Sequence, residues 1–258
     1  MKKIIAMFVA TLMLVMIIPQ NVYASGQITP SGISYDDIGT EMDAYVKEYE
    51  AGLASVGTCV FDETGILYEG YYGCSDIEEG ILADEETVYE WGSTSKLLVW
   101  VSVMQLKEQG KLDFETDIRE YLPKGFLTKL QYEDETITML NLMNHDAGFQ
   151  ESMYENQMAT EDELYGSLEK AVKACECYQT YHVGEYTAYS NWGTALAALI
   201  VEYVSGVSYV DYVHQNIFEP LKMEHTSIGM HMEDNNWVRN EREKLKCYGR
   251  YGALYENN

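Results

Sequence analysis

Leu97 to Met104, LLVWVSVM, is apolar on nearly every side of a helix. A surface helix carries a single apolar stripe, so this segment is expected to be fully buried by the rest of the chain. What precedes it is less ordinary. EWGSTSKLLVW, Glu90 to Trp100, sets a serine at the head of that helix and a lysine one turn later. A first-turn lysine meets the positive end of the helix dipole, and apolar surroundings add a desolvation penalty. Both effects disfavour the charged amine, so stability does not account for it.

Ser93-Thr94-Ser95-Lys96 is an S-x-x-K. Helix positions three apart share a face, which makes the hydroxyl and the amine neighbours. An amine with a lowered pKa can take the serine proton and create a nucleophile. The same helix start offers backbone N–H groups to a developing oxyanion. The motif recurs as Ser167-Leu168-Glu169-Lys170, in a charged amphipathic segment where its lysine is expected to be solvated and inert. Tyr-x-Asn occurs three times, as Tyr154-Glu155-Asn156, Tyr189-Ser190-Asn191 and Tyr255-Glu256-Asn257; with 22 tyrosines, chance matches are expected. The middle copy alone precedes a buried helix. There Tyr189 can relay a proton and Asn191 can position a carbonyl.

The 258 residues, 47% of them hydrophobic, suit a globular chain of one domain or two joined lobes. Residues 1–24 read as an export signal: Lys2 and Lys3, an apolar run from Ile4 to Ile18, then Pro19 and a small residue at Ala24. The run is short for a membrane anchor, and a membrane contact is expected only if the segment is retained. The localisation that follows is extracytoplasmic. Seventeen basic against 42 acidic residues give a net charge of −25, or −27 once Lys2 and Lys3 are removed. That excludes nucleic acid as a natural partner. Five cysteines without repeated spacing make neither a disulfide framework nor a metal site, and no cofactor is expected.

Residues 25–40 read as a linker. Glu41 to Ala54 has helical spacing, with Met42, Tyr45, Val46 and Tyr49 on one face. Ser55 to Phe61 and Ile66 to Tyr72 form a hairpin across Asp62-Glu63-Thr64-Gly65. Short turns around Leu112, Ile118 and Leu122 follow. Helices are then expected over Thr136 to Asn144, Glu161 to Cys175, Asn191 to Ser205 and Tyr209 to Ile217. Core packing is the expected role of Trp91 and Trp192, and a structural one that of His145.

EWGSTSKLLVW, GKLDFETDIREYLP, ITMLNLMNHDAGF, YTAYSNWGTALAALIVEYVSG and IFEPLKMEHTSIGM occur in that order. Together they resemble the serine β-lactamase and penicillin-binding superfamily, in its class C and D-alanyl-D-alanine carboxypeptidase-like branch, over residues 41–258. The resemblance implies an α+β, β-lactamase/transpeptidase-like fold: a helical lobe beside an antiparallel sheet, with Ser93 in the cleft between them. It implies that Ser93 is the acylated nucleophile, Lys96 its base, Tyr189 a catalytic partner and Asn191 a substrate-binding residue, with no metal. D-Ala-D-Ala peptides, β-lactams and small esters or amides are the implied substrates. Some related enzymes carry S-D-N as the second motif; here it is Y-S-N. The third family motif, K-T-G or H-x-G, is absent. His225-Thr226-Ser227 and Arg250-Tyr251-Gly252 both come too early for it. The chain is therefore expected to lack the C-terminal part of the domain and to hold an incomplete sheet. A non-catalytic penicillin-binding-like sensor and an inactive fragment of a longer hydrolase remain the rival readings.

Overall fold

The structure, a computed structural model, describes residues 27–151 and 166–248 and falls into two compact units. The expected signal at 1–24 lies outside the described residues, as do Tyr154-Glu155-Asn156, Arg250-Tyr251-Gly252 and Tyr255-Glu256-Asn257.

Among the described residues, the first unit comprises those up to Thr87 together with residues 243–248. It holds helix α1 (Ile38–Tyr49) and strands β1 (Ser55–Asp62), β2 (Gly65–Asp76) and β3 (Ile81–Leu82), in the antiparallel order β1-β2-β3. The hairpin is as expected, but its turn is tighter. Asp62 already pairs with Gly65, and Asp62 Oδ1 accepts the Thr64 N–H at 2.7 Å and the Thr64 hydroxyl at 2.6 Å. That Asx bond closes the loop without further residues. β3 leaves no mark in the sequence because two residues carry no alternation. Within the segment expected as a linker, residues from 27 on carry local structure: Ile28 bridges Ser34, and Ser34 caps the turn leading into α1. On α1 Val46 is buried, whereas Tyr45 and Tyr49 stay exposed and pack on each other at 5.1 Å. Asp43 accepts the hydroxyls of Tyr68 and Tyr72, which ties α1 to β2.

The second unit, Val88–Arg242, is mainly helical. Its elements are α2 (Lys96–Glu108), α3 (Met139–Met143), β4 (Phe149–Gln150), α4 (Leu168–Ala174), β5 (Tyr178–Gln179), α5 (Asn191–Ser205), α6 (Tyr209–Val213) and α7 (Asn236–Arg242). α5 is the central one. Ser190 caps its start by accepting the Gly193 N–H at 2.8 Å, and Gly206 ends it at φ +80°. Leu196, Leu199, Ile200 and Val201 are each at most 1% exposed, so burial on all sides outweighs any need for a polar face. α2 packs against it through Val99, Val103 and Leu106. The expectation that α2 is buried all round fails on one stripe. Leu97 and Met104, seven apart, are 57% and 44% exposed because α5 covers only the opposite side. After α6 the chain continues helically through a π turn, His214–Phe218, to Leu221.

The expected helix from Glu161 is described only as α4, starting at Leu168. Its N-cap is Ser167, whose hydroxyl accepts the Lys170 N–H at 3.2 Å. The second S-x-x-K is thus a helix cap.

Candidate active site

Ser93 sits in a 3-10 turn, Gly92–Ser95, that runs directly into α2 at Lys96. Gly92 enters this turn at φ +54°, a conformation that favours glycine. Residues three apart eclipse one another in a 3-10 turn, more closely than on an α-helix. Lys96 Nζ accordingly lies 3.2 Å from Ser93 Oγ. Lys96 itself is half-buried.

Tyr189 and Asn191 come to the same place from the start of α5. The Tyr189 hydroxyl donates to Ser93 Oγ at 2.8 Å, and Lys96 Nζ donates to Asn191 Oδ1 at 2.7 Å. The lysine also lies 5.0 Å from the centroid of the Tyr189 ring. All four residues singled out by sequence therefore meet, within one unit of the protein. Lys96 is the largest influence on the Tyr189 phenol: its hydrogen bond, then that of Ser93, and its charge hold the pKa below the ordinary 10, against desolvation and the charge of Glu151.

The loop before Tyr189 is pinned to residues 145–148. The N–H groups of Ala188, Gly184 and Thr180 each bond at 2.8 Å to the carbonyls of His145, Asp146 and Gly148. At its far end Glu135 accepts the Val183 N–H at 2.8 Å and pairs with His182, which stacks on Tyr132. His145 Nδ1 accepts the Ser190 N–H at 3.2 Å, which places the imidazole proton on Nε2. Burial and the nearby Lys96 lower the His145 pKa, so the ring is neutral at pH 7. It packs on the Tyr189 ring at 4.6 Å. These contacts tie His145 to the Tyr189 loop.

One participant carried no sequence signal. Glu151 accepts the backbone N–H groups of Asn191 and Trp192 at 2.5 and 3.2 Å and the Asn191 side-chain amide at 3.1 Å. Its partners lie 40 residues along the chain, beyond any local pattern.

Trp192 is core, as expected: it is 5% exposed and its indole donates to the Val172 carbonyl at 2.8 Å. Trp91 is not; at 41% exposed it borders a separate cavity of about 260 Å³ with Leu98, His225 and Ile228. His225 and Ser227 are engaged elsewhere, by stacking on Trp237 and by bonding to Asp234. Among the described residues no group of three or more His, Cys, Asp or Glu side chains could hold a metal ion.

Residues 42–241 match the family described as Beta-lactamase. The Staphylococcus aureus (strain MRSA252) protein named flp is 27% identical over 157 residues, 60% of this chain and 31% of its own length. The fold is that of an octameric penicillin-binding protein homologue from Pyrococcus abyssi (TM-score 0.65, 22% identity, 84% of this chain and 48% of that one). It is equally that of a class C beta lactamase (TM-score 0.62, 19% identity, 87% and 56%). The chain thus spans about a third to a half of the length of these proteins. With a helical unit, a small antiparallel sheet and a match over most of its residues, the chain belongs to the beta-lactamase family.

Proposed function

We propose that this protein is an exported serine hydrolase that works through an acyl-enzyme on Ser93. The observation that carries the reading is the convergence of Lys96 Nζ and the Tyr189 hydroxyl on Ser93 Oγ, at 3.2 and 2.8 Å. In the active form the Tyr189–Lys96 pair holds one proton fewer. Ser93 Oγ attacks the substrate carbonyl and passes its proton to that pair. The pair then protonates the leaving group, and a water activated by the same pair releases the acyl group. The Ser93 N–H, at the positive end of α2, serves the oxyanion. Asn191 accepts from Lys96 through Oδ1 and gives one Nδ2 hydrogen to Glu151, which leaves the second for a substrate carbonyl.

The substrates proposed are D-Ala-D-Ala peptides, β-lactams or small esters and amides, met outside the cytoplasm after removal of residues 1–24. The test is labelling with a fluorescent penicillin and a fluorophosphonate, with the adduct mapped by mass spectrometry. An adduct on Ser93 that disappears in Ser93→Ala is expected. An adduct on Ser167, or one that survives Ser93→Ala, overturns the assignment. Stable acylation without turnover would instead identify a binding protein or sensor.

A further inference from the structure

We propose that Glu151 is a positioning residue: it clamps Asn191 by side chain and backbone together and so fixes the amide oxygen of Asn191 on Lys96 during acyl transfer at Ser93. The inference rests on the reading of Ser93 as nucleophile.

A carboxylate only accepts hydrogen bonds, and here it receives three donors. Oε2 takes the N–H groups of Asn191 and Trp192, at 2.5 and 3.2 Å, and Oε1 takes Asn191 Nδ2 at 3.1 Å. The side-chain bond decides which way the amide faces. With Nδ2 on the carboxylate, Oδ1 is turned to Lys96 Nζ at 2.7 Å. The opposite flip sets oxygen against carboxylate on one side and N–H against the lysine N–H groups on the other. Both contacts are repulsive, so the orientation is chemically enforced. The backbone bonds hold the first turn of α5, whose positive end favours a negative partner. Tyr189 stands two residues earlier, so the same clamp holds the approach of the phenol to Ser93.

Glu151 also sets charge. Tyr189 is faced by Lys96 and Ser93 from the 92–96 turn, by the neutral His145 ring and by Glu151. Lys96 favours the phenolate and Glu151 opposes it. His145 in turn faces Lys96, Asp146 and Glu151. Removing the carboxylate therefore disturbs geometry and titration in separable ways.

The experiment follows the rate of fluorophosphonate acylation at Ser93 against pH in the parent, Glu151→Gln, Glu151→Asp and Glu151→Ala, with Ser93→Ala as the blank. A glutamine cannot receive all three donors without turning its own N–H toward one of them. Glu151→Gln should lose roughly 10–100-fold in rate, the scale of a small misplacement of reacting groups. Its rising pH limb should also move to lower pH, because a negative charge has gone. Glu151→Asp keeps the charge, so its limb should stay where the parent's is and its rate should exceed that of Glu151→Ala. An unchanged rate in Glu151→Gln, or Glu151→Asp no better than Glu151→Ala, overturns the proposal. Melting temperatures of the variants separate a folding defect from either result: a rate loss that only follows the fall in melting temperature also overturns it. Failure of the parent to label at Ser93 overturns the serine hydrolase reading and removes this inference with it.

Discussion

The Tyr189 hydroxyl lies 2.8 Å from Ser93 Oγ although 96 residues separate them in sequence. The contact spans the starts of α2 and α5, whose packing forms the middle of the helical core. The reactive geometry is therefore tied to the most buried part of the protein.

Tyr189→Phe removes the phenol and leaves the ring on His145. Acylation of Ser93 should fall by about 10²–10⁴, the usual worth of a general base. Lys96→Arg keeps the charge but gives up one half of the proton-accepting pair, and a loss in the same range is expected. Stopped-flow labelling against pH is the measurement. The active form is deprotonated, so the rate should rise with pH and level off above a pKa that lies below 10. Lys96→Ala removes the cation that depresses Tyr189, and its limb should move to higher pH. A limb unchanged by Lys96→Ala would show that Tyr189 is not the titrating group.

Much of this was legible in the chain, for local reasons. α5 announces itself as an apolar run closed by Ser190 and Gly206, and both ends fall where the sequence places them. The hairpin shows through two β-rich runs separated by Asp62-Glu63-Thr64-Gly65. Lys96 is conspicuous because its position is unfavourable for a cation. The elements that escaped are those with non-local causes. β4 and β5 are two residues each and exist because Phe149 and Gln150 meet Gln179 and Tyr178. Glu151 acts on Asn191 across a similar distance in sequence. Leu97 and Met104 are as apolar as their neighbours, and only the one-sided packing of α5 tells them apart.

Ser167→Ala tests which S-x-x-K is chemical. Its hydroxyl caps α4 through the Lys170 N–H. Acylation at Ser93 should be unchanged, while stability falls by about 1 kcal/mol, the ordinary cost of losing such a cap. Urea unfolding alongside labelling reads both.

Asp234 supports the loop after the helical run. Its carboxylate is 7% exposed and receives Ser227, His214 and the N–H groups of Ile228 and Gly229. Burial pushes its pKa up, but these hydrogen bonds together prevail and hold it below 3.8. A depressed carboxyl contributes stability that is present above its unfolded pKa and is lost as pH falls through the folded value. Asp234→Asn should therefore cost stability at pH 7, on the order of 2–4 kcal/mol for several bonds to a buried charge. The gap between variant and parent should close as the pH is taken well below 4. Urea midpoints across pH 2–7 measure it; a gap that persists undiminished at the acid end would mean that the carboxylate charge is not what stabilises the loop.

At Gly148 the backbone of the 180–189 loop leaves no space for a side chain. The glycine sits at φ +83°, and a Cβ placed there would lie 2.1 Å from the Tyr181 carbonyl oxygen. Its own carbonyl takes the N–H groups of Thr180 and Tyr181 at 2.8 and 3.2 Å. Gly148→Ala thus combines a disfavoured backbone conformation with a clash against main chain, which cannot rotate away. A loss of about 2 kcal/mol or more is expected. The consequence for chemistry is more specific. The 180–189 loop hangs on residues 145–148, and it ends in Tyr189. Pushing Tyr181 aside should move the phenol from Ser93 while leaving the 3-10 turn that joins Ser93 to Lys96 untouched. Gly148→Ala, measured at a temperature where it is still folded, should resemble Tyr189→Phe in rate and add little to it in the double variant. Fully additive losses would show instead that the loop acts on the site through something other than Tyr189.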